Sequence, residues 1–555
     1  MPTLDWIGKK AVVQHHKEVP FHLLKADSKL SVGDADSGNL LIEGDNLLAL
    51  KALLSYYAGQ VRCIYIDPPY NTGKENWVYN DNVNSPQIRE WLGKIVGKES
   101  EDLSRHDKWL CMMYPRLVLA KQFLSDDGII FISIDDRELA HLRMVMDELY
   151  RPENLVACFV WQTEGNFDNQ AKVKIGHEYV LAYTKNYALL PPPPVVDPNT
   201  PKGSKLFRDR IQNTIVKNGP ANPVSAIILP AGFPANFQEG VITKRKNQWP
   251  HYSEDVIVKD YKLQKAVAAS SGWSSKRIFE RFIVSGFKPS LDTKGQETTF
   301  VLTQTGAIEN IKQRPGKQSH VISVLREVGT TQQMSAALMG MGIEFDYPKP
   351  VGLIKYLVSL VSDKSCTVLD FFGGSGTTAH AVLELNKEDG GTRKFILVEL
   401  KEDICRTSAK RLSSVTNGYS DSKEQIAGLG GGFRYCTLGT TLFGADGQIR
   451  DEVKFDDLAR HVFFIETGEP LPKRANGKTP FIGTAKGVGV YLLYNGILGD
   501  KSPRGRNVLT TTILATLPKH DGPRVIYGTG CRISIERLRR EGITFRQIPY
   551  QVKVS

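Results

Sequence analysis

Short apolar runs recur along the first third of the chain, and each is bounded by polar residues. They lie at 39–43, 61–66, 128–134 and 154–160. Their length is typical of strands that are buried on both faces of a parallel sheet. Longer stretches at 46–58 and 108–124 carry apolar residues over lengths typical of helices. Strands that alternate with helices predict an α/β fold, in which helices cover both faces of a parallel sheet.

Four consecutive prolines at 191–194 interrupt this alternation and indicate a boundary. The stretch that follows is basic and weakly periodic. A βα unit then returns, with strands predicted at 366–372 and 394–400 on either side of a glycine-rich turn and a helix. GLGGGF at 428–433 predicts a flexible joint before a last α/β or β-rich module. We therefore expect the segments 1–190, 191–340, 341–415 and 416–555, with 1–190 and 341–415 forming one domain.

Composition adds few constraints to this architecture. The 555 residues carry a net charge of +11, which permits a polyanionic partner without requiring one. The seven cysteines form no CxxC pair and are odd in number, so we expect a reducing cytoplasm rather than a disulfide framework or a zinc site. The opening residues lack the apolar core of a signal peptide. No apolar run reaches the roughly 18 residues that predict a membrane span.

The tetrapeptide Asp67-Pro68-Pro69-Tyr70 directly follows the strand predicted at 61–66. Ligands of open parallel sheets bind at the carboxyl ends of the strands, and two prolines fix a backbone whose carbonyls lack competing N–H groups. The Asp67 carboxylate and the Pro68 carbonyl suit hydrogen bonds from the amine of adenine, which would localise the lone pair on nitrogen. Tyr70 suits stacking on a base extruded from a duplex. A rigid turn that ends the strand is the alternative interpretation.

A second candidate site begins at Asp370 and continues through FFGGSGTT at 371–378, between a predicted strand and a helix. Glycines permit a tight turn and close approach of a ligand, and the helix N-terminus favours a negative group. The GxGxxG spacing of dinucleotide-binding proteins and the GxxxxGK[ST] phosphate loop are both absent. Glu399 ends the next strand, where a carboxylate either holds ribose hydroxyls or is simply solvated. Asp45 after the strand at 39–43 predicts either a ligand contact or a helix N-cap.

Together these motifs resemble the amino-methyltransferase family in its permuted order, in which the catalytic tetrapeptide precedes the cofactor motif. DPPY at 67–70, FFGGSGTT at 371–378 and FDYPKP at 345–350 carry the resemblance. Within that family, YIDPPYNTG at 65–73 and GHEYVLAYTK at 176–185 are most similar to Mod subunits of type III restriction systems. The resemblance implies a Rossmann-like sheet that binds S-adenosylmethionine, an inserted target-recognition domain at 191–340 and a small C-terminal domain.

The resemblance also implies a role for individual residues. It assigns Asp67, Pro68, Pro69 and Tyr70 to the target amine, and Asp370, Phe372, Gly374, Ser375, Gly376 and Thr377 to the surroundings of the cofactor. Glu399 would bind the ribose, Asp45 the adenine end and Lys349 the methionine end of S-adenosylmethionine. In the insertion, Lys244, Arg245, Lys246, Lys276 and Arg277 would contact DNA, with a solvated basic face as the alternative.

The expected function is methylation of adenine N6 in duplex DNA, within a restriction-modification or phage-defence system. Asp at the start of the tetrapeptide favours adenine N6 over cytosine N4 in this family. Cytosine N4, RNA and a catalytically silent DNA-recognition subunit remain as alternatives. The transfer is expected to be direct and in line, with no metal, since no HExxH or Cys/His cluster occurs. A homodimer and a restriction or helicase subunit are the expected protein partners, and the role of 416–555 stays open between dimerisation, DNA contact and partner docking.

Overall fold

The computed structural model describes residues 3–548 apart from 35–36, 72–85, 99–102, 164–171, 195–199, 202–203, 205–209, 294, 314–320, 421–424, 445–447 and 495–506. The helices in this part of the chain are α1 Lys9–Val12, α2 His15–Glu18, α3 Asn46–Tyr57, α4 Pro86–Ile95, α5 Arg105–Phe123, α6 Leu139–Tyr150, α7 Lys276–Val284, α8 Thr331–Gly340, α9 Val351–Ser359, α10 Thr377–Asp389, α11 Glu402–Asn417, α12 Phe455–Thr467, α13 Thr511–Thr516 and α14 Ile535–Arg540.

The strands of the first half are β1 His22–Gly33, β2 Leu40–Glu43, β3 Val61–Ile66, β4 Leu124–Ile134, β5 Leu155–Gln162, β6 His177–Thr184, β7 Arg210–Thr214, β8 Ser225–Leu229, β9 Gly240–Ile242, β10 His251–Tyr252, β11 Val256–Lys259, β12 Lys262–Leu263 and β13 Val267–Ser271. Those of the second half are β14 Ser290–Leu291, β15 Glu297–Leu302, β16 Ile308–Gln313, β17 Val324–Leu325, β18 Thr367–Asp370, β19 Lys394–Glu399, β20 Gly418–Ser420, β21 Gln425–Ala427, β22 Gly432–Thr441, β23 Phe481–Ala485, β24 Val488–Leu492, β25 Val508–Leu509, β26 Arg524–Gly528, β27 Gly530–Cys531 and β28 Ile543–Gln547.

Ten strands form one large sheet, in the order β1-β22-β2-β19-β18-β3-β4-β6-β5-β17. The strands from β22 to β4 pair in parallel. β1 runs antiparallel to β22, and β6 runs antiparallel to both β4 and β5. The four apolar runs of the first third form β2, β3, β4 and β5, which all point the same way because β6 reverses direction between β4 and β5. The predicted α/β fold is thereby confirmed.

The order of the strands places a crevice between β18 and β3. These two strands pair in parallel, with Leu369 opposite Ile64. The chain leaves β18 through α10 to reach β19 on one side, and it leaves β3 towards α5 and β4 on the other. Connections that diverge from adjacent parallel strands open a crevice beyond their carboxyl ends, where open α/β sheets bind ligands. Both sequence motifs begin at this edge of the sheet.

A second compact unit covers residues 194–321, and the larger unit is formed by 1–193 and 322–555. The second unit contains three small antiparallel sheets, β10-β13-β8, β12-β11-β9 and β14-β15-β16-β7, together with α7. Its core includes the buried rings of Phe233, Phe279, Phe282 and Phe300. The sequence places the end of the insertion at 340, whereas residues 322–340 lie in the larger unit. β17 pairs there with β5, and α8 buries Met334 and Leu338.

The described residues beyond 416 contribute strands to four sheets, two of which are the two-stranded sheets β20-β21 and β25-β27. β22 lies in the large sheet between β1 and β2, so its pairing partners come from the N-terminal part of the chain. The predicted flexible joint at 428–433 leads directly into this strand, where Phe433 pairs with Val32. The residues after β22 also form a four-stranded sheet, β23-β24-β26-β28, and α12 packs with its buried Leu458 and Val462 in a separate core. Among the described residues, no helix is long and apolar enough to cross a membrane.

The aromatic core of the 194–321 unit generates a stability prediction. Phe300 is fully buried, with its ring centroid 4.9 Å from that of Phe279 and 5.3 Å from that of Phe282. Phe300→Ala should lower the free energy of unfolding of this unit by about 3–5 kcal/mol, because the removed ring leaves a cavity. Urea unfolding measures the change. Val284→Ala, at a side chain that is 87% exposed, should change the free energy by less than about 0.5 kcal/mol.

Candidate active site

The tetrapeptide 67–70 continues from the carboxyl end of β3 at the crevice. Pro68 and Pro69 are buried, and Asp67 and Tyr70 are half-buried. The indole Nε1 of Trp109 in α5 donates a hydrogen bond of 2.6 Å to the Pro69 carbonyl. Trp109 is itself fully buried, so this contact fixes the peptide between Pro69 and Tyr70 against the helix behind it. The backbone that follows the two prolines is therefore held in place by a side chain of α5.

The two oxygens of the Asp67 carboxylate have different surroundings. Oδ2 lies 2.9 Å from the ammonium of Lys349, which is only 9% exposed. Oδ1 is buried and has no hydrogen-bond partner among the residues that the structure describes. A buried acceptor without a partner costs free energy, and such groups are rare in folded proteins. Asp67 thus has one oxygen bound to Lys349 and one buried oxygen without a hydrogen-bond partner in the described part of the chain.

Lys349 and Glu178 complete the surroundings of the tetrapeptide. The Lys349 ammonium lies 3.4 Å from Glu178 Oε2 and 4.8 Å above the centre of the Tyr70 ring. The Tyr70 hydroxyl donates to the same Glu178 oxygen at 2.9 Å. Burial, followed by the charges of Asp67 and Glu178, raises the pKa of Tyr70 well above its ordinary value. The ring therefore stays a neutral phenol, held at its hydroxyl by one carboxylate.

The glycine turn at 371–376 follows β18 and is fixed by side chains on both sides. The Asp370 carboxylate accepts hydrogen bonds from the Phe372 N–H at 3.0 Å and from the Thr378 hydroxyl at 2.6 Å. Gly376 has φ +80° at the N-cap of α10, a left-handed conformation that glycine adopts without strain. The Thr377 hydroxyl donates to the Lys349 carbonyl at 3.1 Å. Lys349 therefore contacts both motifs, through its ammonium at Asp67 and through its carbonyl at Thr377.

Arg411 of α11 supports the turn from behind. Its guanidinium is fully buried and donates to the hydroxyls of Ser375 and Thr377, each at 2.9 Å. Burial lowers the pKa of Arg411 to about 9. The side chain of Ser375 is consequently directed at Arg411, so this part of the predicted cofactor surroundings is occupied by structural contacts.

Glu399 ends β19 beside the turn and is 5% exposed. Its Oε2 accepts from the Gly374 N–H at 2.9 Å and its Oε1 from the Lys401 N–H at 3.2 Å. Burial raises the pKa of Glu399, and also that of Asp370, to about 7. Since an ionised carboxylate has about four lone-pair positions, two backbone donors leave room for ribose hydroxyls. The simple alternative of a solvated carboxylate does not apply, because the side chain is buried.

Asp45 takes the position of a helix cap. Its Oδ1 accepts from the N–H groups of Leu47 and Leu48 in the first turn of α3, and its Oδ2 lies 3.3 Å from Arg116. The N-cap alternative is thus realised. The assignment of Asp45 to the cofactor stays a prediction.

The basic residues predicted to contact DNA lie in the unit 194–321. They differ in the hydrogen bonds and ion pairs that their side chains already make, and in their exposure. The Arg245 guanidinium donates to the carbonyls of Pro250, Trp249, Thr305 and Gly306, so it serves to join two loops and is poorly placed to reach a phosphate. Lys276 pairs with Glu280 along α7 at 3.8 Å. The side chains of Lys244, Lys246 and Arg277 are exposed.

The sequence alone did not single out several residues that surround the tetrapeptide. Glu178 lies within the segment GHEYVLAYTK, next to His177, whose Nε2 lies 2.9 Å from the Tyr179 hydroxyl. The side chain of Asn71, directly after Tyr70, donates a hydrogen bond to Glu138.

A cluster of potential metal-ligating groups includes Glu138 as well. Its ligand atoms, from His106, Glu138 and His141, lie within 4.8 Å of one another. A signal was present in Glu-x-x-His at 138–141, but its third member, His106, comes from another helix.

A family model described as DNA methylase matches residues 61–410, which include both motifs and the whole unit 194–321. The chain belongs to this family. It is 28% identical to the type III restriction-modification enzyme StyLTI Mod subunit of Salmonella typhimurium, over 93% of this chain and 77% of that protein. It is 31% identical to the EcoP15I Mod subunit of Escherichia coli, over 83% and 74%. The type II methyltransferase M.KpnI of Klebsiella pneumoniae is 28% identical, over 68% and 84%.

Membership confirms the family predicted from the sequence and the similarity to Mod subunits. This DNA methylase is accordingly an enzyme that uses S-adenosylmethionine as its cofactor. The permuted order of the motifs agrees with the strand order, since β3 with the tetrapeptide precedes β18 with the glycine turn by some three hundred positions while lying next to it.

The buried carboxylates of this DNA methylase predict how its stability depends on pH. Between about pH 4.5 and pH 7, the folded chain holds protons on Asp370 and Glu399 that the unfolded chain has lost. Because the unfolded state binds fewer protons, stability falls as the pH rises through this window. Glu399→Gln should therefore lose less stability between pH 6 and pH 8 than the wild type, by about 1 kcal/mol in urea unfolding. Glu402→Gln, at an exposed carboxylate, should leave the wild-type difference unchanged.

Proposed function

We propose that this DNA methylase transfers the methyl group of S-adenosylmethionine to N6 of adenine in a specific duplex sequence. The observation that carries the proposal is the pair of Asp67 oxygens, one held by Lys349 and one buried and free of partners among the described residues. An exocyclic amine that enters the crevice offers the hydrogen-bond donor that Oδ1 lacks. The Pro68 carbonyl is the second acceptor, and Tyr70 provides a neutral ring for stacking on the extruded base.

Positioning and orientation supply most of the catalysis in this mechanism. Hydrogen bonds from the amine to Asp67 Oδ1 and to the Pro68 carbonyl hold the nitrogen lone pair towards the glycine turn. The cofactor supplies an electrophilic methyl group on a sulfonium. Transfer of that methyl group from sulfur to the amine would place positive charge on the nitrogen and make one of its protons acidic. Asp67 is the nearest carboxylate to stabilise that charge and to accept the proton.

The turn and the strand ends around it have the properties of a nucleoside site. Gly374 and Gly376 at positive φ bring the backbone close to a ligand, and Phe372 lies half-buried beside them. Glu399 retains acceptor capacity for the ribose hydroxyls. Asp370 and Thr377 shape the turn through their own hydrogen bonds, and we assign them to its geometry rather than to ligand contact. Lys349 lies between the tetrapeptide and the glycine turn, where its ammonium suits the carboxylate end of the cofactor.

We assign target recognition to residues 194–321, with the exposed Lys246 and Arg277 as phosphate contacts. The similarity to Mod subunits supports a role in a restriction-modification system, with a restriction subunit as partner and a homodimer as the form that binds DNA. Cytosine N4 is the second candidate target, because its exocyclic amine presents the same donors to Asp67 and Pro68.

Substitution of the proposed catalytic carboxylate tests the function. Asp67→Asn should lower methyl transfer to mixed-sequence duplex DNA by about 100-fold or more, because a neutral amide neither stabilises positive charge on the reacting nitrogen nor accepts its proton. Labelled S-adenosylmethionine and mass spectrometry of the nucleosides measure the rate and identify the base. Asp136→Asn, at an exposed carboxylate bound to Tyr179, should transfer at the wild-type rate. N4-methylcytosine as the product would overturn the choice of adenine, and transfer only to RNA would overturn the choice of DNA.

The proposed phosphate contacts predict a change in the salt dependence of binding. Lys246→Ala combined with Arg277→Ala should weaken DNA binding about equally for all sequences and reduce the slope of log K against log salt by about 2. Fluorescence anisotropy between about 50 and 200 mM salt measures the slope. Lys265→Ala removes a lysine of the same unit that is paired with Glu254 and serves as the control. An unchanged slope in the double variant contradicts the assignment.

A further inference from the structure

Glu138 is a fully buried carboxylate at the start of α6 that receives three side-chain donors. Asn71 Nδ2 lies 2.5 Å and His106 Nδ1 2.7 Å from Oε1, and His141 Nδ1 lies 2.9 Å from Oε2. A buried carboxylate is stable only when it is paired and hydrogen-bonded. In the described part of the chain, its ion-pair partners are the two imidazoles, with no lysine or arginine within 4 Å.

Asn71 is the residue immediately after Tyr70, and its conformation is unusual. It is 1% exposed and has φ +59°, in the left-handed region that asparagine and aspartate tolerate better than other side chains. Its Nδ2 donates to Glu138, and its Oδ1 accepts from the Arg105 Nε at 3.2 Å. Both ends of the side-chain amide are thus used to hold one strained backbone position.

The backbone is therefore tethered on both sides of Tyr70. Trp109 holds the Pro69 carbonyl, and Glu138 holds the Asn71 side chain. Trp109, Arg105 and His106 all belong to α5, whose first turn is fixed by a capping box between Ser104 and Asp107. A displacement of α5 or α6 would be transmitted to the ring that stacks on the base and to the carbonyl that accepts the amine.

We propose that Glu138, Asn71, His106 and His141 form a clamp that positions the catalytic tetrapeptide, with Glu138 as the positioning residue of the methyl-transfer reaction. The effect of the clamp on the rate rests on the proposed function, whereas its hydrogen-bond geometry does not depend on that function. Its members contact neither base nor cofactor in this mechanism, so they act through Tyr70 and the Pro68 carbonyl. Loss of the clamp is expected to lower kcat while leaving the affinity for S-adenosylmethionine unchanged.

The side chains of Glu138, His106 and His141 also have the composition of a metal site, with two histidines and one carboxylate. The distances favour hydrogen bonding. Two ligand atoms on one zinc ion lie roughly 3.3 Å apart when the metal–ligand bonds are about 2.0–2.1 Å. Here each imidazole nitrogen is 2.7 or 2.9 Å from its carboxylate oxygen, which is the separation of a charge-assisted hydrogen bond.

Exchange of the two polar partners tests the clamp without changing the size of either side chain. Asn71→Asp sets two carboxylates against each other and should lower kcat about 10-fold or more. Glu138→Gln alone should lower it less, because the amide can still accept from one histidine. When both substitutions are combined, the new amide at position 138 donates to the new carboxylate at position 71, so the pairing is restored with the roles reversed. The double variant should recover at least half of the loss caused by Asn71→Asp.

Hydrogen exchange at the peptide that contains residues 66–71 provides a readout independent of methyl transfer. Exchange should be faster in Asn71→Asp and return towards wild type in the double variant. Glu148→Gln, on the same helix but bound to Lys9 and Tyr114, should alter neither exchange at this peptide nor kcat. If no variant or wild type methylates DNA while the exchange rates follow the predicted order, the proposed function fails and the clamp stands.

Two results would overturn the clamp. One is a double variant no better than Asn71→Asp in both exchange and kcat. The other is stoichiometric binding of Zn²⁺ by the dialysed wild-type protein that is lost in His106→Gln and His141→Gln but kept in His520→Gln, at a histidine outside the cluster. In that case the carboxylate is a metal ligand rather than the acceptor of the Asn71 amide.

Discussion

The parallel pairing of β18 with β3 is the contact on which the active site depends. It joins residues from the two ends of the family match and sets the last residue of each strand at the same edge of the sheet. The tetrapeptide and the glycine turn, which follow these two strands, therefore begin at the same edge of the sheet although they lie far apart in the sequence. A one-residue slip in this register would turn Asp370 and the residues after it to the opposite face.

Lys349 connects the tetrapeptide and the glycine turn through its ammonium and its backbone carbonyl. Its ammonium is nearly buried, which is tolerable because two carboxylates, Asp67 and Glu178, lie within 3.4 Å. Its carbonyl holds the first residue of α10. Truncation of this lysine side chain would leave two half-buried carboxylates without their shared cation beside a neutral phenol. The cost would therefore appear at the tetrapeptide, although Lys349 comes much later in the sequence.

The parts of this arrangement that depend on local sequence could be predicted. The strand at 61–66, the DPPY turn and the glycine turn each have a recognisable local sequence pattern. The positions of Asp67 and Asp370 at the ends of their strands follow from these patterns.

The remaining features depend on contacts between residues that are distant in the sequence. Glu178 and Glu138 are ordinary polar residues in their own segments, and only the antiparallel insertion of β6 and the packing of α5 against α6 bring them to Tyr70 and Asn71. Arg245 is a further example, since a basic cluster in the sequence does not reveal that this guanidinium donates to four backbone carbonyls. The compact unit ends at 321, whereas the sequence predicts an end at 340, and the difference comes from the pairing of β17 with the distant β5, which local sequence does not reveal.

The position of the 194–321 unit has a consequence for how such enzymes diversify. The chain departs from the larger unit after Pro193 and rejoins it at Ile322, where β17 immediately pairs with β5. The unit has its own aromatic core, and neither motif lies within it. Recombination between related genes at these two points would exchange one compact unit while preserving the sheet, Lys349 and both motifs. With target recognition assigned to this unit, as proposed, one such exchange would change the DNA sequence that the enzyme marks while leaving the active site intact.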